Sequence, residues 1–287
     1  MTLDEFWLQT LNSLTFAALL FLVASGFTLI FGLMRIVNLA QGSLYLLGGY
    51  VGLSLVRATG NFWLALVGAS AAVGAIGLAI ERGLLRRVRG QPMSEILLTV
   101  GLSFIVADLA LAGWGGDPIT LDAPSVVAGR TEILGATYPD FRLAVLGLGI
   151  AVAIGLWFLL ERTRVGAMIR AGVDDRETAA ALGINVQLVF TGVFALGSML
   201  AGLAGVVGGV YLGLYPGADI EILNYALVVV VIGGLGSLRG AILGSLLVGA
   251  TYDFGQSLVP VLAYFAIFAP MALVLILRPQ GLFGRAG

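Results

Sequence analysis

Asn38, Gln41 and Ser43 stand in an otherwise apolar, aromatic and glycine-rich stretch, Asn38-Leu39-Ala40-Gln41-Gly42-Ser43-Leu44-Tyr45-Leu46-Leu47-Gly48-Gly49-Tyr50. Their amides and hydroxyl need hydrogen-bond partners there, because a lipid-like surrounding supplies none. A second cluster, Gly233-Gly234-Leu235-Gly236-Ser237-Leu238-Arg239-Gly240, shares Gly-Ser-Leu and the glycine density, and each cluster precedes a long apolar run. Corresponding glycine-interrupted segments in two halves are the pattern of transporters built from internal repeats, with irregular backbone lining the path. Tight helix packing through small residues is the other reading, and it applies most directly to Gly48, Gly52, Gly244 and Gly249.

A charged stretch at residues 161–185 offers contact chemistry. Residues 164–171 form an amphipathic helix that Gly172 is placed to end. Asp174-Asp175-Arg176-Glu177 then reads as a capping box, with Asp174 as N-cap and Glu177 three residues on. The run Thr178-Ala179-Ala180-Ala181-Leu182 follows, with Gly183 in the position after the helix. Two short helices with small alanines and flanking charges make a docking surface; a loop packed on its own bundle is the alternative. Ionisable residues inside apolar runs are few, namely Asp108, Asp253 and, near an end, Glu95. Such groups are functional candidates, but both aspartates lie toward segment ends, where a solvated carboxylate is the simpler reading. Tyr252-Asp253 invites comparison with intramembrane aspartyl proteases, whose second motif, Gly-x-Gly-Asp, does not occur.

Absences narrow the chemistry further. Among 287 residues there is no cysteine, histidine or lysine, and all 15 basic residues are arginines. Disulfides, thiolate nucleophiles, imidazole bases and ordinary zinc sites are excluded. So are lysine Schiff bases and a P-loop, which needs its lysine on the nucleotide phosphates. Any ATP used must be bound by another chain, and no cofactor is called for. A net charge of −1 does not suit a nucleic-acid surface.

The elements that must position these residues are membrane helices. The chain is 59% hydrophobic and 11% charged, against roughly 25% charged in a soluble domain. About 20 apolar residues cross a bilayer as a helix. Runs of that kind cover residues 6–33, 36–56, 62–80, 96–114, 143–160, 188–214 and 241–259. Residues 224–236, ending in Gly-Gly-Leu-Gly, and 261–277, containing Pro270, predict distorted segments. The fold class is all-α: a polytopic transmembrane bundle of about eight or nine segments with repeat-like halves and broken or re-entrant pieces. The whole of 1–287 reads as one transmembrane domain, with a cytoplasmic loop at 161–187 and an extracytoplasmic loop of turns and some extended structure at 115–141. The acidic start lacks the basic region and cleavage site of a signal peptide, so the first apolar run is read as retained and the mature chain as beginning at Met1. If nine segments alternate, twelve arginines fall on one side and only Arg57, Arg130 and Arg142 on the other. That asymmetry places the N-terminus outside and the C-terminus in the cytoplasm.

At these residues the chain resembles the permeases of branched-chain amino acid ABC transporters, specifically the shorter, LivH-like subunit. Residues 38–50 resemble that family's Asn-Phe-Ala-His-Gly-x-x-Tyr-x-x-Gly-x-Tyr segment, with Gln41 where many relatives have histidine. Residues 81–89 followed by Leu98-Thr99-Val100-Gly101-Leu102-Ser103 resemble its basic loop and Thr-Ile-Gly run; residues 233–244 and the ending Arg278-Pro279-Gln280-Gly281-Leu282-Phe283-Gly284-Arg285 also fit. The resemblance implies a translocation path at Asn38, Gln41, Gly42, Ser43, Tyr45, Thr99, Gly234, Gly236 and Ser237. It implies ATPase coupling through Arg170, Ala171, Asp174, Asp175, Glu177, Ala179, Gly183 and Asn185. The implied partners are a second related permease, two cytoplasmic ATPase subunits, an extracytoplasmic solute-binding protein and membrane lipid, with no nucleic acid. The implied location is the bacterial inner membrane. A self-sufficient channel or secondary carrier is the alternative, and the scarcity of embedded ionisable residues argues against an ion-coupled carrier.

Overall fold

A computed structural model describes residues 3–133, 136–258, 260 and 263–284. The helices are α1 Leu3–Met34, α2 Gln41–Thr59, α3 Phe62–Ile80, the single turn α4 Arg86–Val88, and α5 Pro92–Trp114. A hairpin of β1 Arg130–Ile133 and β2 Ala136–Pro139 pairs antiparallel in the loop that follows. Then come α6 Asp140–Arg162, α7 Arg164–Asp174, α8 Arg176–Ala181, α9 Val186–Tyr211, α10 Ala218–Gly233, α11 Leu238–Leu258, α12 Ala263–Ala266 and α13 Phe268–Leu277. Among the described residues, α1, α3 with its extension to Val88, α5, α6 and α9 are each long and apolar enough to span a membrane. α10 and α11 form a pair bent by 120°. Each of the nine apolar runs thus falls on a helix or helix pair, and the protein is a multi-pass helical membrane protein.

Two of the anticipated distortions take a particular form. α10 stops at Gly233, and the turn at Gly234 and Gly236 has φ of 94° and 84°, a left-handed region that glycine enters without penalty. The break in the last run comes at Ile267, ahead of Pro270. Proline there occupies the first turn of α13, where its missing N–H leaves no helical bond unmade.

α9 is the axis of the bundle, with α1, α2 and α3 all packed on it. Glycine sets how closely they approach. A Cβ added to Gly205 would lie 1.9 Å from the Tyr45 carbonyl oxygen, and one added to Gly48 would lie 2.4 Å from Gly202 Cα. Gly52 meets Val206, Gly244 the Val229 carbonyl and Gly249 the Ser13 carbonyl in the same way. For these positions the close-packing reading of the glycines holds.

The contacts also sort the two ends of the bundle. Arg142 bonds Asn12, Trp114 donates to Ser54 at 2.8 Å, and Ile119 pairs with Leu214, which gathers Arg57, Arg130, Arg142 and the 115–141 loop at one end. Arg86 bonds Gln187, Gly236 abuts Gly32 and Gly234 abuts Gly284, which gathers the turns carrying most of the arginines at the other. Arg285 lies outside the described residues.

Candidate functional site

The first polar cluster sits where α1 has ended and α2 has not begun. Arg35 leaves α1 with φ of 54°, residues 36–38 are non-helical, and a turn at 39–40 leads into Gln41. Asn38, Gln41 and Ser43 are 0–1% exposed. Asn38 Nδ2 donates to Gln41 Oε1 at 3.2 Å, and Gln41 Nε2 donates to the Gly197 carbonyl at 3.0 Å. Gly197 lies eleven residues into α9 from Val186, about 16 Å at 1.5 Å per residue. Ser43 Oγ donates to Asp219 Oδ2 at 3.0 Å, and Gly42 lets the Asp219 backbone approach, since a Cβ there would lie 2.1 Å from its carbonyl oxygen. Thr99 Oγ bonds the Ile96 carbonyl at 2.9 Å and reaches the Val37 carbonyl at 3.5 Å, which brings α5 against the break. Tyr45 is fully buried against Gly208.

Two polar atoms of this cluster have no hydrogen-bond partner although both are buried: Asn38 Oδ1 and the Tyr45 hydroxyl. Asp219, the partner of Ser43, is 6% exposed in the first turn of α10, where an acidic group is favoured by the helix dipole.

The second cluster does not join the first. Gly234 and Gly236 form the α10–α11 turn, and Ser237 Oγ accepts from Gly240 N at 3.1 Å to cap α11. These residues meet Gly32 of α1 and the tail at Gly284.

The coupling segment folds as two helices, with a shift of register. α7 runs through the buried Gly172, where an added Cβ would lie 3.7 Å from Leu33 Cδ1 and 3.8 Å from Val186 Cγ1, and ends only at Asp174. Asp175, not Asp174, is therefore the N-cap of α8: its φ of −152° and ψ of 107° are extended, and its Oδ1 accepts from Glu177 N and Thr178 N at 2.9 and 3.1 Å. Glu177 falls at the second helical position, one short of the capping-box place. The Asp175 carboxyl lies below the ordinary carboxylate range because the Thr178 hydroxyl, then the Thr178 and Glu177 backbone N–H groups, favour its charged form. The cap is thus charged at neutral pH, and its contribution is lost only as pH falls through that lowered value. Gly183, with φ of 85°, follows the helix in the anticipated place, and Asn185 Oδ1 caps α9 by accepting from Leu188 N at 3.1 Å. Ala179 and Ile169 are buried and Ala171 packs beside them, while Glu177 and Leu182 are exposed. Arg170 is exposed, with Nη1 3.9 Å from Glu161.

A third assembly has no counterpart in the sequence reading. α3 leaves its regular path in a π-helical turn, Glu81–Leu85, a local widening often found at working parts of helices. It carries Glu81, 1% exposed, into the bundle, where Arg89 and the Thr191 hydroxyl of α9 both donate to its carboxylate. Arg89 also lies 4.7 Å over the Phe190 ring. Glu95, 6% exposed, accepts from Gly90 N at 2.9 Å. A charge buried so near a basic loop was the available signal. Asp108 is exposed, but the solvated reading fails for Asp253, which is 8% exposed with Oδ2 unpartnered.

An apolar bundle with a buried polar break at its centre and paired short helices at one end defines a membrane transport protein. The model of the family described as branched-chain amino acid transport system / permease component matches residues 9–277, and the chain belongs to that family. It is 29% identical to the high-affinity branched-chain amino acid transport system permease protein BraD of Pseudomonas aeruginosa, across 96% of this chain and 95% of that one. To the corresponding LivH protein of Escherichia coli K12 it is 28% identical with the same coverage. Its fold matches PsaBC from Streptococcus pneumoniae in complex with Fab at a TM-score of 0.51 and 17% identity, over 93% of this chain and 89% of that one.

Removing Arg89 strands the Glu81 carboxylate. Arg89→Ala is expected to cost about 3–5 kcal/mol and to lower the melting temperature of the detergent-purified protein, whereas Glu81→Gln with Arg89→Ala recovers part of the loss. A double variant no more stable than Arg89→Ala alone would refute the pairing.

Proposed function

We propose that this chain is one of two related permease subunits of an ABC importer in a bacterial inner membrane. In this reading it passes branched-chain amino acids or related small polar solutes, handed over by an extracytoplasmic binding protein and driven by two cytoplasmic ATPase subunits. The observation that carries it is a pair of orphaned buried polar atoms, Asn38 Oδ1 next to Gln41 and, further along α2, the Tyr45 hydroxyl against Gly208. An unmade hydrogen bond in a dry interior costs about 1–3 kcal/mol, and a polar solute passing between Asn38, Gln41, Ser43, Tyr45 and Thr99 would supply the missing partner. Gly42 keeps Ser43 close to Asp219. The Gly234, Gly236 and Ser237 turn is assigned the role of a hinge between α10 and α11 rather than a wall of the path.

Coupling follows from continuity. α8 offers an exposed face, from Asp175 and Glu177 to Leu182, to a cytoplasmic partner. Ala171 and Ala179 seat it against the bundle, with Arg170 exposed on α7 beside them, and Gly183 and Asn185 pass the chain directly into α9. Since α2 packs on α9, displacement of the short helices reaches the polar break through one rigid element. Work is done only if the ATPase contacts differ between the two states of the bundle. The lysine-free chain lacks a P-loop of its own, which favours a separate ATP-binding partner over the self-sufficient carrier. The side chain of Asp174 lies outside the described residues.

Three outcomes test this. In proteoliposomes holding the assembled transporter and its binding protein, Tyr45→Phe should leave thermal stability unchanged or raised, and slow ATP-driven leucine uptake roughly three- to tenfold, the equivalent of one hydrogen bond. Unaltered uptake would remove Tyr45 from the path. In the same assay Asp175→Ala should leave the chain inserted but weaken the link between ATP hydrolysis and uptake, and wild-type coupling would count against α8 as the contact. Because the chain has no cysteine, sidedness is directly readable. A membrane-impermeant maleimide should label Val126→Cys in intact cells and Leu182→Cys only after permeabilisation, and the opposite pattern would reverse the orientation.

A further inference from the structure

At the arginine-rich end, α1, α6, α7 and the α10–α11 turn enclose a cavity of about 660 Å³, a size that takes a small organic ligand. None of the residues from Asn38 to Tyr45 lines it, and its lining is amphipathic. Arg35, Arg170 and Arg239 face Glu161 as the one carboxylate lining it. Arg170 is 3.9 Å from Glu161, too long for a hydrogen bond, and among the described residues no ion pair engages Arg35 or Arg239.

Both unpaired arginines sit in awkward backbone settings. Arg35 holds a left-handed φ of 54°, a conformation that costs a non-glycine residue roughly 1–2 kcal/mol. Arg239 is the second residue of α11, so its cation lies at the positive end of a helix dipole. A bound anion would relieve that repulsion and meet both guanidiniums. A separate observation points the same way: Thr28, 2% exposed, lines the cavity with its hydroxyl buried and unpartnered.

We infer that this cavity binds the phosphate headgroup of an anionic phospholipid. The choice of a lipid over a free anion rests on the α6 wall of the cavity. Trp157 lines the cavity and belongs to a continuous apolar face of α6 with Ile150, Ile154 and Phe158, which are 42–60% exposed. The spacing of these residues puts them on one side of the helix. An acyl chain has a track along that face, while the headgroup stays at the level where arginine and tryptophan mark the membrane interface.

The test is lipid retention by the full-length protein, purified with the subunits that accompany it and exchanged into micelles with phosphatidylglycerol or phosphatidylethanolamine. Native mass spectrometry should show phosphatidylglycerol held selectively. Arg35→Gln with Arg239→Gln should lower its retention by about tenfold or more; if that pair fails to insert, Arg239→Gln alone is read in the same way. Arg82→Gln with Arg87→Gln, at the same end but outside the cavity, should leave retention intact. Equal retention of the two lipids, equal loss in the control pair, unchanged retention in the cavity pair, or displacement of the lipid by millimolar inorganic phosphate would each overturn the assignment.

Discussion

The bundle turns on one contact, the hydrogen bond from the Gln41 side chain to the Gly197 carbonyl in the middle of α9. A helix carbonyl already accepts within its own ladder, and it can take a second donor only where a neighbour comes close enough. Glycine makes room on both sides. A Cβ on Gly26 would sit 2.5 Å from the Gly197 oxygen and 2.6 Å from Gln41 Nε2, and one on Gly197 would sit 2.8 Å from the Gly26 oxygen. Three segments distant in sequence thus meet without side chains between them. The chain can leave α1, run six residues without helix and start α2 inside the bundle because its polar groups find partners there rather than in lipid.

Once that crossing is fixed, the rest is constrained. α2 lies across α9 with glycine at each point of approach, so the two cannot separate without opening the polar break. The π-turn of α3 ties Glu81 to Thr191 about one and a half turns into α9, and Arg86 ties the adjoining turn to Gln187. Those bonds grip α9 at the end where α8 feeds into it. Motion applied to the short helices therefore cannot dissipate in a loose loop; it enters a helix held by α1, α2 and α3 together. Interiors packed this closely shift between discrete arrangements rather than deforming smoothly.

How much of this was legible follows from which signals are local. Helix positions were, because spans are written as apolar runs: residues 62–80 coincide with α3, and the others differ at their ends, by as much as six residues at the start of α10. The α10–α11 turn was announced by its glycines. Register within 164–183 was not, since helix propensity is a weak prior that tertiary context overrides, and the buried Gly172 stays inside α7. That added turn moved the cap from Asp174 to Asp175. The pairing of Glu81 was missed and Asp253 misplaced for a related reason. An acidic residue near a segment end looks solvated in sequence, and only the fold shows whether a hydroxyl or guanidinium is waiting inside. The two Gly-Ser-Leu clusters were legible as breaks, but similarity of motif carries no information about where in the bundle each one sits.

Gln41 itself is the sharpest case of a residue type answering a geometric demand. It must donate to Gly197 and accept from Asn38 Nδ2 at once, and an amide does both in a single charge state. A histidine, which many members of the family carry in the segment this one resembles, could meet the same demand only as the neutral imidazole. Protonation would turn its acceptor into a second donor facing the Asn38 amide, and the asparagine would have to turn its oxygen inward. In this chain Asn38 Oδ1 is the atom left without a partner. The amide at position 41 therefore fixes the orientation of Asn38 independently of pH, and keeps a hydrogen-bond acceptor available in the buried break under every condition in which the protein is folded.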